Sequence, residues 1–282
     1  MSLSPVQAWF YEQGWNPFPF QVESWQAITQ HKSGLLLAAP GTGKTYAMMG
    51  GFCERFIAES ENAGKLQLLW ITPLRALASD IASNLQAMVA GIGLKWKVGQ
   101  RTGDTKSSEK MKQSKQLPEI LITTPESLHL FLSRPECRIQ FSQLKGVVVD
   151  EWHELLGNKR GVQIELALAH LQSWASSLQV WGISATIGNP EQALDVLCGD
   201  FIPKEHQVLI RSSYTKKIEL ETWIPSNLRR FPWAGHLGLQ AIPSLVPLIE
   251  KKSSTLIFTN TRAQAERWYQ ALLAAKPDWE GQ

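Results

Sequence analysis

Short apolar runs alternate with longer amphipathic segments along most of the chain, and this alternation constrains the fold more than any other feature. The runs have the length of strands, whereas the segments between them have the length and spacing of helices. Strands that alternate with helices predict an α/β fold with a doubly wound parallel sheet. The apolar runs are GLLLAA (34–39), LQLLWI (66–71), EILIT (119–123), GVVVD (146–150), LQVWGIS (178–184) and TLIFT (255–259). Amphipathic segments between them include 44–60, 74–90 and 160–175.

The residues that follow each apolar run are informative, because open α/β sheets bind ligands outside the carboxyl ends of their strands. After the first five runs the sequence reads PGTGKT, TPLRAL, TPESL, DEWHEL and SATIGNP. Threonine followed by proline after a strand, as at Thr72 and Thr124, predicts a helix N-cap with proline in the first turn. Asn189, also followed by proline, predicts a third helix start. The two threonine-capped helices would open on one sheet edge, where each N-terminus can bind a phosphate.

The stretch AAPGTGKT, which begins at Ala38, fits the phosphate-loop pattern, with this alanine where the strict pattern has glycine. Its position between a predicted strand and a predicted helix is the context that the pattern requires. Gly41 and Gly43 let backbone N–H groups turn toward the phosphates. Lys44 is predicted to reach the β- and γ-phosphates, and Thr45 to hold Mg²⁺ through its hydroxyl. The predicted nucleotide-binding residues of the loop are Pro40, Gly41, Thr42, Gly43, Lys44 and Thr45.

The stretch GVVVDEWHEL places three carboxylates and an imidazole at the mouth of a predicted buried strand. A magnesium-phosphate site needs an acid at the end of a neighbouring strand, and Asp150 fits that role. Glu151 is then placed to orient and deprotonate an attacking water, and together with Lys44 these two form the predicted catalytic set. A helix N-cap with acidic first-turn residues is the alternative, but it explains only one carboxylate. Glu154 is expected to be solvated or structural.

Composition and missing motifs exclude several classes of protein. The chain of 282 residues has a net charge of +3 and three scattered cysteines without C-x-x-C spacing, so neither a zinc site nor a disulfide framework is indicated. The start of the chain lacks a signal-peptide pattern, and no apolar run approaches the roughly 20 residues that span a membrane, so a soluble, cytoplasmic protein is expected. The Asn-Lys pair in NKRG (158–161) lacks the aspartate of a guanine-binding motif.

A basic segment lies between the second and third predicted strands. Residues 95–115 hold seven lysines and arginines against two acids, on a chain that is otherwise nearly balanced. Charge runs are usually solvated faces, but this one adjoins predicted helix N-termini, and both features suit a nucleic-acid backbone. A small-molecule kinase would need neither the two Thr-Pro helix starts nor the SAT tripeptide after the fifth run.

The order of these motifs resembles that of superfamily 2 helicases. The matching segments, besides the phosphate loop, are TPLRAL, RTGDT (101–105), TTPESL (123–128), DEWHEL and SAT. DEWHELL, RTGDT and FPWAGHLGL (231–239) are together similar to the large helicase-related, Lhr-like group. Within that group the chain most resembles the bacterial ligase-associated DEXH-box helicases. The resemblance extends from GWNPFPFQ (14–21) to FTNTRAQAERWYQALL (258–273) and implies a RecA-like fold.

The resemblance implies roles for further residues. Gln21 would read the adenine, and Phe18 or Phe20 would either stack on the base or pack in the interior. His153, close to the predicted γ-phosphate, could also be a histidine at the edge of the core. The residues implied to hold one DNA strand by its backbone are Thr72, Pro73, Arg75, Arg101, Thr102, Gly103, Asp104, Thr123, Thr124, Pro125 and Glu126. Those implied to couple hydrolysis to movement are His153, Ser184, Ala185 and Thr186.

The resemblance also implies an activity. We expect an ATP-dependent DNA helicase or translocase that uses ATP and Mg²⁺ and moves 3′ to 5′ on single-stranded DNA or on DNA with a single-stranded tail. DNA repair with ligase and nuclease partners is implied, and no membrane partner is expected. The alternatives are an RNA-dependent ATPase of the same superfamily, a non-catalytic ATP-gated nucleic-acid-binding module and, more remotely, a phosphate-loop kinase.

The strand-helix alternation changes near residue 212. We expect a first RecA-like domain at 1–211, a connector at 212–240 and the incomplete start of a second RecA-like domain at 241–282. Helicases of this superfamily clamp ATP between two such domains, and the second supplies arginines that stabilise the transition state. Because the later motifs have no counterpart here, we expect an N-terminal fragment with weak activity. The strand-helix unit at 255–275 is expected to be mobile, packed on the first domain or paired with another copy of the chain.

Overall fold

Seven parallel strands form one sheet in the computed structural model, which describes residues 3–59, 64–214, 217–222 and 238–280. The strands are β1 (Ser33–Leu37), β2 (Leu68–Ile71), β3 (Val98–Arg101), β4 (Ile120–Thr123), β5 (Gly146–Val149), β6 (Gln179–Ser184) and β7 (Gln207–Arg211). They lie in the order β3-β4-β2-β5-β6-β1-β7, and every neighbouring pair is parallel. The parallel sheet predicted from the sequence is therefore confirmed.

Helices connect successive strands. Those of the sheet region are α1 (Pro5–Glu12), α2 (Pro19–Thr29), α3 (Lys44–Ala58), α4 (Arg75–Gly91), α5 (Ser107–Lys115), α6 (Pro125–Leu132), α7 (Cys137–Phe141), α8 (Trp152–Leu155), α9 (Lys159–Trp174) and α10 (Pro190–Cys198). Two more, α11 (Ile242–Ile249) and α12 (Arg262–Ala275), follow later in the chain. No helix among the described residues has the length and apolar character needed to cross a membrane.

Side chains that alternate along each strand enter two separate apolar cores. Leu36 and Val148 pack with residues of α1 to α4, whereas Leu35 and Val147 pack with residues of α6 to α10. Successive side chains of a strand point to opposite faces of a sheet, so a strand buried on both faces needs consecutive apolar residues. This is why the central strands can be recognised as continuous apolar runs.

Five of the six predicted strands are confirmed, with ends that differ by at most two residues. The edge strands β3 and β7 were not predicted, because their sequences, VGQR and QVLIR, contain polar residues. The prediction of a strand at 255–259 is wrong, since these residues are described without strand pairing and the side chains of Leu256 and Phe258 are exposed. A strand needs a partner for its backbone groups, and no strand is described within 217–222 or 238–280.

The three predicted helix starts have different outcomes. Thr72 does not cap a helix, because its N–H donates to the carbonyl of Thr123 at 2.9 Å and extends the sheet, so that α4 begins only at Arg75. Thr124 is the N-cap of α6 and is followed by proline, as predicted. Asn189 caps α10 through its side chain, also as predicted.

The chain divides into two compact units, which separate between Lys216 and Lys217. The predicted first domain ended at residue 211, where β7 ends. In the second unit, a Lys276–Glu250 ion pair of 2.5 Å joins the residues that follow α12 and α11. Most of the predicted connector, including most of FPWAGHLGL, lies outside the described residues, so the connector stays a prediction.

The fold predicts a strong dependence of stability on Phe52. Its ring is fully buried, and a Cβ placed on Gly146 would lie 2.3 Å from it, so the site is tightly packed. We expect Phe52→Ala to lower the free energy of unfolding by about 3 to 5 kcal/mol, because the lost contacts leave a cavity. Phe201→Ala is the matched control, since that ring is exposed, and should change it by about 0.5 kcal/mol or less. Urea unfolding followed by circular dichroism measures both, and similar losses would contradict the packing described.

Candidate functional site

The loops after the parallel strands meet at one edge of the sheet. Strands β5, β6 and β1 are neighbours, so the loops that follow them emerge side by side. These loops are the acidic segment DEWHEL (150–155), SAT (184–186) and the phosphate loop. Strands β3, β4 and β2 are also neighbours, which brings together the other segments predicted from the sequence. The edge therefore has a nucleotide half, after β5, β6 and β1, and a second half, after β3, β4 and β2.

The phosphate loop joins β1 to α3 through a tight turn. Gly41 has φ 71° and Gly43 has φ 84°, both in the left-handed region that favours glycine. The hydroxyl of Thr42 donates to the carbonyl of Ala39 at 2.7 Å and closes the turn. Helix α3 begins at Lys44, so its free N–H groups lie where the loop ends, as anion binding at a helix N-terminus requires.

Lys44 is buried, and its ammonium group lies between two oxygen acceptors. The Nζ atom donates to the carbonyl of Ala38 at 3.1 Å and lies 4.0 Å from Oε1 of Glu151. A buried ammonium must be paired, and here its partners are a loop carbonyl and the carboxylate of Glu151, near the start of the acidic segment. Phosphate oxygens would offer stronger, charge-assisted partners in the same place.

Gln21 packs directly against the phosphate loop. Its Nε2 donates to the carbonyl of Gly43 at 3.0 Å, and its Oε1 accepts from the N–H of Phe18 at 2.8 Å. The Phe18 and Phe20 rings are stacked, with centroids 5.8 Å apart. Phe20 is buried and has a packing role, whereas the half-buried Phe18 also contacts the ring of Tyr214 at 5.1 Å.

Asp150 lies directly after β5 and is buried. Its N–H donates to the carbonyl of Ile71 at 2.8 Å, and its Oδ1 accepts from the N–H of Glu151 at 2.9 Å. Burial and the negative charge of Glu151 raise the pKa of Asp150 to about 6, against the opposing charge of Lys44. A cation bound to this carboxylate would favour its ionised form.

The residues present fit a magnesium ion that is held mainly by its substrate. A buried carboxylate and the hydroxyl of Thr45 are oxygen donors of the kind that Mg²⁺ prefers. The described residues contain no group of three or more His, Cys, Asp and Glu able to hold a metal ion. Mg²⁺ is commonly bound through one or two carboxylates together with phosphates and water, so this small donor set is appropriate.

Glu151 adopts a left-handed backbone conformation, with φ 48° and ψ 49°. Such a conformation is strained for a residue with a Cβ, and strain of this kind concentrates at functional sites. Its carboxylate lies 4.0 Å from Nζ of Lys44 and 3.5 Å from Nδ1 of His153. The strained turn thus holds the carboxylate between two basic groups beside the phosphate loop.

Ser184 connects the three loops of the nucleotide half. Its hydroxyl lies 2.8 Å from Nδ1 of His153, with the donor set by the histidine tautomer. Its carbonyl accepts from the N–H of Ala38 at 3.1 Å, at the start of the phosphate loop. Ala185 is partly buried and Thr186 is exposed beyond it. The geometry thus brings the histidine and the SAT serine together.

In the second half of the edge, most of the predicted residues are buried. The Oγ1 of Thr123 donates to the carbonyl of Arg101 at 2.7 Å, and Thr102, in the same turn, accepts from the N–H of Asp104 at 3.3 Å. The Oγ1 of Thr72 is buried and has no hydrogen-bond partner among the described residues. The other predicted residues of this half that are buried are Pro73, Arg101, Thr124 and Pro125.

The exposed part of this half is centred on Arg75. Its guanidinium forms an exposed ion pair of 3.4 Å with Asp104. A Cβ on Gly103 would lie 2.9 Å from the same guanidinium, so the glycine allows the two loops to approach. An exposed arginine that is weakly paired can exchange its carboxylate for a phosphate.

The side chain of Arg101 is not available to a nucleic acid, contrary to the role that the resemblance implied. It is buried, with its guanidinium 4.1 Å above the ring of Phe131, and it donates to the carbonyl of Lys110 and to Oε1 of Gln113 at 3.4 Å. Burial, followed by the charge of Arg134, lowers its pKa. The contacts of Arg101 hold helices α5 and α6 against β3.

Sequence reasoning missed Arg160, whose Nε donates to Oε1 of Glu126 at 2.5 Å. It also missed Asn158, the N-cap of α9, whose side chain accepts from two backbone N–H groups. Asparagine directly before a long amphipathic segment is a helix-start signal that could have identified the cap. The ion pair joins residues far apart in sequence and had no local signal.

A family model and several known proteins are similar to this chain. Residues 18–194 match the family model described as DEAD/DEAH box helicase. The chain is 35% identical over 276 residues to the ATP-dependent helicase Lhr-Core of Methanocaldococcus jannaschii, covering 93% of this chain and 32% of that protein. It is 31% identical over 279 residues to the Lhr helicase/probable uracil glycosylase of Mycolicibacterium smegmatis, covering 93% and 18%. The chain thus spans about a third or less of these relatives.

Solved structures show the same fold. The Mycobacterium smegmatis helicase Lhr bound to ssDNA and AMP-PNP matches with a TM-score of 0.81 and 29% identity, over 99% of this chain and 36% of that one. The DUF1998 helicase MrfA bound to DNA matches in fold, with a TM-score of 0.76 and 20% identity, over 96% of this chain and 38% of that one. These matches confirm the RecA-like fold and the resemblance to Lhr-like helicases. With its family-model match, the chain belongs to the DEAD/DEAH box helicase family.

Proposed function

We propose that this chain carries the ATP site and part of the single-stranded-DNA face of an ATP-dependent DNA helicase or translocase. The observation that supports this most directly is the position of Glu151. A strained turn holds its carboxylate 4.0 Å from the ammonium of Lys44, directly after the buried Asp150. A carboxylate poised beside a phosphate loop is what activation of a water molecule needs.

In the proposed reaction, the loop N–H groups and the α3 N-terminus bind the phosphates of ATP, and Lys44 exchanges its carbonyl partner for phosphate oxygens. Glu151 accepts a proton from the attacking water as the new O–P bond forms and the bond to the ADP oxygen breaks. Bound Mg²⁺, held by Thr45 and Asp150, would neutralise phosphate charge. Gln21 reads the adenine and its packing on Gly43 joins base recognition to the loop.

The DNA part of the proposal rests on the second half of the edge. This half has an exposed Arg75 and buried polar turns. The Lhr of Mycobacterium smegmatis, to which the chain is similar, was solved with ssDNA and AMP-PNP, which supports strand binding as the proposed role. The family resemblance extends the proposal to 3′-to-5′ movement and to DNA repair in the cytoplasm with ligase and nuclease partners. The described residues of the second unit contain no sheet. We therefore propose that this chain by itself binds ATP but hydrolyses it slowly.

Replacing Glu151 tests the proposed chemistry. Glu151→Gln keeps the size of the side chain but cannot accept the proton, so the ATP hydrolysis that the wild type shows above background with single-stranded DNA should be lost, in line with the roughly 10² to 10⁴-fold contribution of a general base, while AMP-PNP binding is retained. Glu154→Gln is the matched control, because this carboxylate lies in the same segment and is exposed. Phosphate release, measured with and without DNA, gives the rates.

Equal losses in the two variants would contradict the role of Glu151. A wild-type rate near background, with intact Mg-ATP binding, would support the proposal that this chain alone is an ATP-binding half of the motor. If the nucleotide then changed DNA affinity without hydrolysis under any condition, the alternative of a non-catalytic ATP-gated module would be favoured.

Replacing Arg75 tests the nucleic-acid face. Arg75→Ala should weaken binding to single-stranded DNA by a similar factor for all base sequences and reduce the slope of log K against log salt by about 1, because one phosphate contact is lost. Arg138→Ala is the matched control, since this exposed arginine lies on α7, ahead of the amino end of β5. Fluorescence anisotropy at several salt concentrations measures the affinities.

An unchanged affinity in Arg75→Ala, or an equal loss in Arg138→Ala, would contradict the assigned face. Competition with an RNA of the same sequence separates the DNA proposal from the RNA-dependent alternative. Displacement of bound DNA by RNA at lower concentration would favour the RNA-dependent ATPase.

A further inference from the structure

A side-chain ion pair connects the two halves of the sheet edge. The Nε of Arg160, on α9, donates to Oε1 of Glu126, on α6, at 2.5 Å. Partial burial alone would raise the pKa of Glu126, but hydrogen bonds and the charge of Arg160 together lower it. The carboxylate is therefore held ionised against its partner.

The Arg160 end of the pair is fixed to the acidic segment. The Nδ2 of Asn158 donates to the carbonyl of Glu154 at 2.5 Å, while its Oδ1 accepts from the N–H groups of Arg160 and Gly161. A Cβ on Gly161 would lie 2.1 Å from the carbonyl oxygen of Leu155. The first turn of α9 thus packs directly on the end of α8, which begins one residue after the catalytic carboxylate.

The Glu126 end of the pair is fixed to the second half of the edge. Glu126 lies in the first turn of α6, next to the buried Thr124 and Pro125 that follow β4. Its Oε2 is buried and has no hydrogen-bond partner among the described residues, so the contact with Arg160 uses only one of the two oxygens. An arginine can bind both oxygens of a carboxylate, so this pair can tighten without any change in the helices.

We propose that Arg160 is a positioning residue that couples the nucleotide half of the site to the strand-binding half, through Glu126. A displacement of the acidic segment when nucleotide binds is carried by α8 and the first turn of α9 to the start of α6. This inference rests on the proposed function, because it requires binding of both ATP and single-stranded DNA.

The alternative is that Arg160 binds a phosphate directly, since its side chain is 43% exposed. The two roles predict different measurements. A direct contact contributes to DNA affinity whether or not nucleotide is present, whereas a positioning residue changes only the effect of one ligand on the other. The coupling factor, defined as the ratio of the Kd values for DNA without and with Mg-AMP-PNP, separates them.

The experiment measures this factor on the full chain, with a labelled oligothymidylate and fluorescence anisotropy. In the wild type we expect a coupling factor that differs from one by about fivefold or more, in the range typical of coupled sites. In Arg160→Ala it should fall close to one, while the Kd for DNA alone and the Kd for AMP-PNP alone change by about twofold or less. Lys159→Ala, at the exposed lysine one position earlier, is the matched control and should keep the factor.

A second variant keeps the test independent of folding defects. Glu126→Gln should also lower the coupling factor. The double variant Glu126→Gln with Arg160→Ala should lower it no further, because both changes remove the same ion pair. If Arg160→Ala did not melt cooperatively, Glu126→Gln would supply the measurement.

The outcomes distinguish this inference from the proposed function. A wild type that binds neither AMP-PNP nor DNA would overturn the proposed function and this inference with it. A wild type that binds both, with no coupling or with a factor unchanged in Arg160→Ala, would overturn the inference alone. Weaker DNA binding by Arg160→Ala without nucleotide, at an unchanged factor, would replace it with direct phosphate binding.

Discussion

The parallel pairing of the seven strands is the constraint on which the whole site depends. Because all strands run in one direction, every loop that follows a strand emerges at the same edge. The order of the strands then divides this edge, with β5, β6 and β1 on one side and β3, β4 and β2 on the other. A single reversed strand would carry its loop to the opposite edge. The proximity of the motifs is therefore a property of the topology more than of any one motif.

Charge at the end of β5 explains why this part of the edge is built for a ligand. Asp150 is buried and its pKa is raised. The backbone of Glu151 adopts a left-handed conformation that costs of order 1 to 3 kcal/mol. Hydrogen bonds of the residues before and after Glu151 hold the turn in this conformation. The carboxylate of Asp150 accepts the N–H of Glu151, and the indole of Trp152 donates to the carbonyl of Ala193 at 3.0 Å. Two neighbouring carboxylates, one of them buried, are unfavourable for folding alone, and a bound cation would relieve their repulsion.

The parts of the structure that could be predicted are those encoded in neighbouring residues. The central strands are consecutive apolar residues, and the phosphate loop is contiguous, so both were visible in the sequence. What could not be predicted depends on partners that are distant in sequence. Thr72 extends the sheet because Thr123 accepts its N–H, and Arg101 turns inward because Phe131 lies beneath it. The same holds for the polar edge strands and for the unpaired residues 255–259, because pairing with a neighbouring strand decides whether such a segment forms a strand.

Movement in one half of the edge can reach the other half through contacts that cross between them. One crossing is the backbone hydrogen bond from the N–H of Asp150 to the carbonyl of Ile71, and another is the side-chain pair of Arg160 and Glu126, which lies beyond it. The backbone bond belongs to the pairing of the sheet, so it cannot change much without opening the buried core. The side-chain pair lies on helices at the rim and has an unused acceptor oxygen, so it can shift at low cost. A rigid sheet with an adjustable pair at its edge is therefore suited to pass a small displacement from the nucleotide to the strand.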